Sequence, residues 1–359
     1  MPTRRTFLAT LAAAATAPAL TWADAGSPHY LAAAREASGA YALFGLTDRG
    51  EDLFRIPLPD RGHAAAAHPK APEAVAFARR PGRFALVIDC VSGRVLHELE
   101  APEGRHFYGH GAFIADGDVM VTPENAFETG EGKLGLWSRR EGYARIGEIA
   151  THGTGPHDIL RMKDDVMVVA NGGILTHPDR GREKLNIDSM EPSLVYLTPE
   201  GELLEQVVLE PDLHKNSIRH LAQTEDGLVA FAMQWQGDLS DPVPLLGLHR
   251  RGQAPVLCQA DLGEQLAMKG YAGSVALDAT GRLAGITSPR GGRVHLFDLD
   301  GGFVESLRRQ DVCGLATAPG GMVASDGLGA ILGIGAGGVE PRHVAEGRSW
   351  DNHMVAVRG

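Results

Sequence analysis

Three cysteines in 359 residues, at positions 90, 258 and 313, are too few and too scattered to staple a fold, and one must stay unpaired within the chain. Aromatic residues make up 6% of the chain, so large core rings are few. Sustained helical periodicity is missing beyond the N-terminal segment, which argues against an α/β barrel. There is no long basic run, and the net charge is −11. Nothing is therefore available to neutralise a row of phosphates, and nucleic acid is not an expected partner. After the N-terminal segment, no stretch is long and apolar enough to span a membrane. A Gly-x-Ser-x-Gly elbow and a His-Glu-x-x-His zinc helix are also lacking. The glycine pairs at 172–173, 291–292, 301–302 and 320–321 do not sit between a strand and a helix, so they read as turns and not as phosphate loops.

What the chain does have is 46 glycines and a short recurring unit. One copy opens on Gly109-His110, passes through a short strand, a turn at Asp116-Gly117-Asp118 and a second strand, and ends on the polar tip Glu124-Asn125. Further copies run from His157 to Asn171, from His220 to Gln234, from Ser274 to Ser288 and from Cys313 to Asp326. From mark to tip the distance is 14 for the marks at 110, 157, 220 and 274. Gly62-His63 opens a slightly longer copy ending at Arg79-Arg80, and Asp351-Asn352-His353 opens one that the C-terminus cuts short. The marks at 63, 110, 157, 220, 274, 313 and 353 are separated by steps of 47, 47, 63, 54, 39 and 40. Units of this length built from short strands are the sign of a β-propeller.

The expected fold is therefore all-β, a seven-bladed propeller. Each blade buries its sheet against the next, which lets a long chain avoid the size limit of one core. Residues 41–44 and 53–56 read as outer strands without an inner partner. The C-terminal segment from His353 reads as an inner strand without outer ones. Pairing the N-terminal outer strands with the C-terminal inner strand closes the ring and hides its edges. Ahead of this domain, Thr3-Arg4-Arg5-Thr6-Phe7-Leu8, an Ala-rich apolar run from Ala9 to Leu20, and Ala23-Asp24-Ala25 read as a twin-arginine export leader. Residues 1–25 are the expected signal peptide and 26–359 a single domain, exported to the periplasm.

In a propeller the first strand of each blade lines the central channel, so the marks should meet at one mouth. They are His63, His110, His157, His220, Ser274, Cys313 and His353. Two antiparallel strands return the chain to the same face, which sets Arg79, Arg80, Glu124, Asn125, Asn171, Gln234, Ser288, Arg290 and Asp326 just outside them. His106 falls near the rim, and a long insertion after Asn171 brings His177 to this face. His29, His68, His97, His249, His295 and His343 fall off register and read as surface or strand-edge. Five imidazoles facing one axis make a poor core, because each ring nitrogen needs a partner. A bound cation supplies one, and imidazole with an optional thiolate suits copper, zinc or iron. The expected ligands are His63, His110, His157, His220 and His353, with Cys313 optional. Around them Glu124 or Asn171 would orient imidazoles, and Arg79 or Arg80 would neutralise an anion on the metal. The alternative for any one His is an internal hydrogen bond within its own blade.

The motifs Arg105-His-Phe-Tyr-Gly-His110-Gly, Gly155-Pro-His157, Val169-Ala-Asn-Gly-Gly-Ile with Thr176-His-Pro-Asp, Ser217-Ile-Arg-His220-Leu-Ala and Trp350-Asp-Asn-His353 resemble one family. It is a family of uncharacterised, twin-arginine-exported bacterial propellers, often encoded beside imelysin-like proteins and a dihaem oxidoreductase. The resemblance covers nearly all of the chain after the leader. It implies a role in periplasmic iron or copper acquisition, with imelysin-like or haem-containing proteins as partners. A looser similarity is to nitrous oxide reductase, whose propeller holds a copper cluster in a ring of His, although this chain lacks that enzyme's cupredoxin domain. Three functions follow as expectations: a transition-metal-binding propeller, a lactonase-like hydrolase or redox enzyme using the metal as Lewis acid, or a docking scaffold.

Overall fold

The computed structural model describes residues 19–79, 83–181, 183–335 and 337–357. The twin arginines of the leader and Arg80 lie outside the described residues. Seven antiparallel sheets, each four strands deep, follow one another around an axis. Blade 1 begins with the inner strand Gly62–Ala67, blade 3 with Pro156–Arg161, blade 4 with Asn216–Gln223, blade 5 with Ser274–Leu277 and blade 6 with Val312–Ala318. In blade 2 the inner strand is broken into Arg105–Phe107 and Ala112–Ile114, which pair with opposite halves of Val119–Ala126.

The seventh blade closes the ring as the sequence implies. Its innermost strand is the C-terminal Ser349–Ala356, paired antiparallel with Tyr30–Arg35, and the two strands outside it are Tyr41–Leu46 and Asp52–Leu58. The N-terminus thus supplies three strands and the C-terminus one. Among the described residues there are seven buried apolar clusters, and each straddles two neighbouring blades. Phe77 and Val87 of blade 1, for example, pack on Phe113, Met120 and Trp137 of blade 2. The core therefore lies between sheets, which is why strands such as Ala85–Asp89 and Met167–Asn171 are apolar on both faces. Outermost strands, paired along one edge only, alternate or are exposed, as in Arg94–Leu99 and Ala144–Ala150. One short α-helix, Leu262–Ala267, separates blades 4 and 5. No helix of the described residues is long and apolar enough to cross a membrane.

The folded unit begins earlier than the leader boundary expected after Ala25. The 3-10 turn Trp22–Ala25 carries Trp22 and Ala25 into the cluster between blades 7 and 1, beside Leu31, Ile56 and Ile88. The indole Nε1 of Trp22 donates to the His68 carbonyl at 2.8 Å. A chain starting at Gly26 is expected to be less stable than one starting at Thr21 by about 3 kcal/mol, the cost of deleting a buried Trp. Thermal unfolding of the two chains side by side checks this; equal midpoints would show that Trp22 contributes nothing.

Candidate metal centre at the channel mouth

The marked residues sit where the inner strands lose their regular register. The ladder slips between Gly62 and Ala65, between Pro156 and Asp158, between Ile218 and His220, between Val312 and Leu315, and across Trp350 to Met354. A bulge leaves residues unpaired and re-aims their side chains, and such irregularities gather next to functional sites. His110 reaches the same place differently, from the break in the blade 2 strand. Gly109 before it has φ +94, and a Cβ there would come within 2.7 Å of the His63 ring. A residue other than glycine would strain the backbone and collide with that imidazole. Blade 5, whose mark is Ser274, keeps an unbroken register.

These distortions bring five imidazoles together. Ring centroids lie 4.5 Å apart for His63 and His353, 4.6 Å for His220 and His353, 4.7 Å for His110 and His353, and 4.9 Å for both His63–His110 and His157–His220. Donor atoms converge in two overlapping groups, His63–His110–His353 and His110–His157–His220, each within 4.8 Å. Four of the rings are buried and His157 is partly so. Burial, followed by the charges of neighbouring His and Arg residues, holds His157, His220 and His353 well below the ordinary imidazole range. Burial likewise takes His63 down to about 4, against the opposing pull of Asp351. These four rings are therefore held neutral, the state in which imidazole ligates metals.

A carboxylate orients one of the rings. Asp158 Oδ1 lies 3.1 Å from His110 Nδ1, and Asp351 Oδ1 lies 3.7 Å from His63 Nδ1. A carboxylate offers only lone pairs, so His110 Nδ1 carries its ring's hydrogen, whereas Asp351 stands beyond hydrogen-bond distance of His63 Nδ1, a buried atom with no partner among the described residues. His110 Nε2 then presents a lone pair and faces His63 Nε2 at 3.2 Å. A cation shared between the two nitrogens fits that separation. Around a tetrahedral ion with bonds of 2.0–2.1 Å, neighbouring ligand nitrogens stand about 3.3 Å apart. His220 Nδ1 and His353 Nε2, both buried, have no hydrogen-bond partner among the described residues, and such orphaned atoms are costly unless something binds them. The donor set thus fits a transition metal.

Asp351 also anchors the outer side of the cluster, accepting from Arg79 Nη1 at 2.8 Å and from Arg61 Nε. Burial would raise its carboxyl, but His63, Arg79 and Arg61 together hold it below the usual carboxylate range. Inside the cluster lies the channel, a cavity of about 400 Å³ with His110, His220 and His353 at one end and small apolar residues such as Ala65, Ala112 and Val275 along its walls.

Several expected neighbours of the site are elsewhere. The Cys313 thiol is buried among strand carbonyls, 3.3 Å from Asp351 O and 3.5 Å from Ser325 O, and burial pushes it up to about 12. It belongs to neither converging group of donors. Cys90 and Cys258 are likewise free and buried. Glu124 does not orient an imidazole: its carboxylate, fully buried in blade 2, accepts from Arg145 at 2.6 and 3.0 Å and from Thr122 at 3.0 Å. Nor does Asn171, which donates to Thr151 O and Ser193 Oγ. Asn125, His106 and Thr176 form a separate network, with Asn125 Nδ2 3.1 Å from His106 Nε2. His177 stacks edge-on against Phe127 and accepts from Asp179 N. Gln234 donates to Ala272 O, and Arg290 lies over Tyr271 at 4.3 Å. Of the off-register histidines, expected at the surface or at strand edges, His68, His249 and His295 are buried, His249 at the end of its strand. His249, for one, is held by Tyr196 and the Gln253 carbonyl.

Sequence reasoning missed Asp158, Asp351, Arg61 and Arg219. Two of them, Asp158 and Arg219, are chain neighbours of the marks His157 and His220. In a regular strand, adjacent residues face opposite sides, so alternation hides them; only the bulges turn both residues of a pair toward the site. The difference between Glu124 and these carboxylates is measurable. Glu124→Ala is expected to cost about 3 kcal/mol by stranding Arg145, as breaking a buried pair does, with metal content unchanged. Loss of metal in that variant would return Glu124 to the site.

Residues 56–357 match the family described as a protein of unknown function, DUF1513, and the chain belongs to it. No curated protein matches the chain. Among solved structures, hydrazine synthase from Kuenenia stuttgartiensis is similar with a TM-score of 0.60 at 13% identity, covering 80% of this chain and 86% of that one. A streptogramin B lyase is similar with a TM-score of 0.56 at 10% identity, covering 80% and 85%. At such identities the likeness is one of fold.

Proposed function

We propose that this member of the DUF1513 family binds a transition metal ion, copper or iron, at the mouth of its propeller channel. The observation that carries the reading is the convergence of buried imidazole nitrogens: His63 Nε2 and His110 Nε2 face each other at 3.2 Å, and the donor atoms of His63, His110 and His353 lie within 4.8 Å of one another. His353 completes the first group of ligands and His220 is placed to be the fourth. Asp158 fixes the tautomer of His110, as outer carboxylates do around metal-bound imidazoles.

The twin-arginine motif fits export of the folded protein with a metal in place, and the family resemblance supports a role in periplasmic iron or copper handling. Metal analysis of the purified chain beside a His110→Ala/His353→Ala variant tests the site. Equal, sub-stoichiometric metal in both would overturn the reading.

A further inference from the structure

His157 differs from the other four histidines in what holds it. His110 and His63 face carboxylates through Nδ1, whereas His157 Nδ1 lies 3.1 Å from Arg219 Nη1. A guanidinium has only hydrogens to offer. His157 Nδ1 must therefore present its lone pair, and the hydrogen of the ring sits on Nε2. An imidazolium would set N–H against N–H and is incompatible with this contact. In the state that remains, the ring has no lone pair to give a metal: Nδ1 is taken, and Nε2 would first have to be stripped to imidazolate. Yet His157 is packed against the cluster, 5.1 Å from His110 and 4.9 Å from His220 between ring centroids.

Basic groups gather on the same side. Arg219 and Lys184 line a small recess with Tyr108 and Thr176. Arg79 and Arg61 meet at Asp351. The chain as a whole carries −11, so this local excess of cations would draw anions to one point of a surface that otherwise repels them.

We infer that His157 is not a metal ligand but the hydrogen-bond donor, positioned by Arg219, for a small oxyanion such as a carboxylate that binds the metal ion. Arg219 acts twice, by fixing the tautomer that points a hydrogen at the anion and by adding positive charge beside it. This rests on the metal site proposed above.

The test uses the full chain loaded with cobalt(II), whose visible d–d bands report the ligands. Sodium formate is titrated at constant ionic strength against perchlorate. Wild type, His157→Asn, His157→Leu, Arg219→Gln and His110→Ala are compared for bound cobalt and for the formate-induced shift. His157→Leu and Arg219→Gln are expected to hold wild-type cobalt but to weaken formate about tenfold or more, the loss expected for one hydrogen bond to a charged group. His157→Asn, which keeps an N–H donor, is expected to recover part of that affinity. Loss of cobalt in His157→Leu, as in His110→Ala, would make His157 a ligand and overturn the inference. So would retained cobalt with unchanged formate affinity, or a wild-type spectrum that formate does not move. Absence of cobalt from the wild type would instead overturn the metal site itself.

Discussion

Replacing His110 and His353 together by alanine is expected to abolish metal binding, lowering affinity by well over the roughly 10- to 100-fold that follows when only an outer, orienting residue is lost. His110 is the most connected of the five rings. It stands in both converging groups of donors, faces His63 Nε2 at 3.2 Å, and is held by Asp158. His353 lies within 4.7 Å of His63, His110 and His220 between centroids. Without these two, His63 and His220 remain on separate blades with no shared partner. The fold should survive, because the apolar clusters that hold the ring together lie between the sheets and include neither residue. Equilibrium metal titration, with thermal unfolding as the control for folding, checks both halves of the expectation. A variant that folds and still binds one ion as tightly as wild type would remove His110 and His353 from the site.

The fold was legible because its signal is repetitive. Marks at His110, His157, His220 and Ser274 and tips 14 residues on survive any uncertainty over a single strand. The short C-terminal copy at His353 and the orphan outer strands near Tyr41 together implied the closure seen between Ser349–Ala356 and Tyr30–Arg35. The convergence of the five imidazoles was legible for the same reason, since equivalent positions in successive blades must meet near the axis. What surrounds them was not. The tips return to the same face, but Glu124 and Asn171 point sideways into their own sheets, toward Arg145 and Ser193. Cys313 shares a mark position, yet its bulge turns the thiol into the blade wall and not toward the rings. Side-chain direction at a bulge depends on how far the ladder slips, and spacing in the sequence does not encode that.

The metal-free protein is expected to lose stability as the pH falls from about 6.5 toward 4. His63 has its folded value lowered from the ordinary 6.5 to about 4, and His157, His220 and His353 are lowered well below it. An imidazole depressed by folding contributes its full stability above 6.5, where both states are neutral. Below that pH the unfolded chain takes up protons that the folded cluster refuses, so stability drains until the folded value is reached. For His63 alone the shift corresponds to about 3 kcal/mol, a large share of the stability of an ordinary domain. The sign is diagnostic. A chain carrying −11 approaches neutrality as the pH drops, which by itself relieves self-repulsion and favours the compact state. Asp351 is held below the usual carboxylate range and stays ionised across this window, so its loss cannot imitate the effect. Thermal unfolding of chelator-treated protein at pH 7.5 and pH 5 should show the lower midpoint at pH 5, with a smaller difference in the His110→Ala/His353→Ala variant. Bound metal should raise the midpoint at pH 7.5 and give up much of that gain at pH 5, because protons compete for the same nitrogens. A midpoint that rises on acidification would mean that the cluster takes up protons as readily as an unfolded histidine, and that the rings are neither as closely packed nor as dry as their geometry requires.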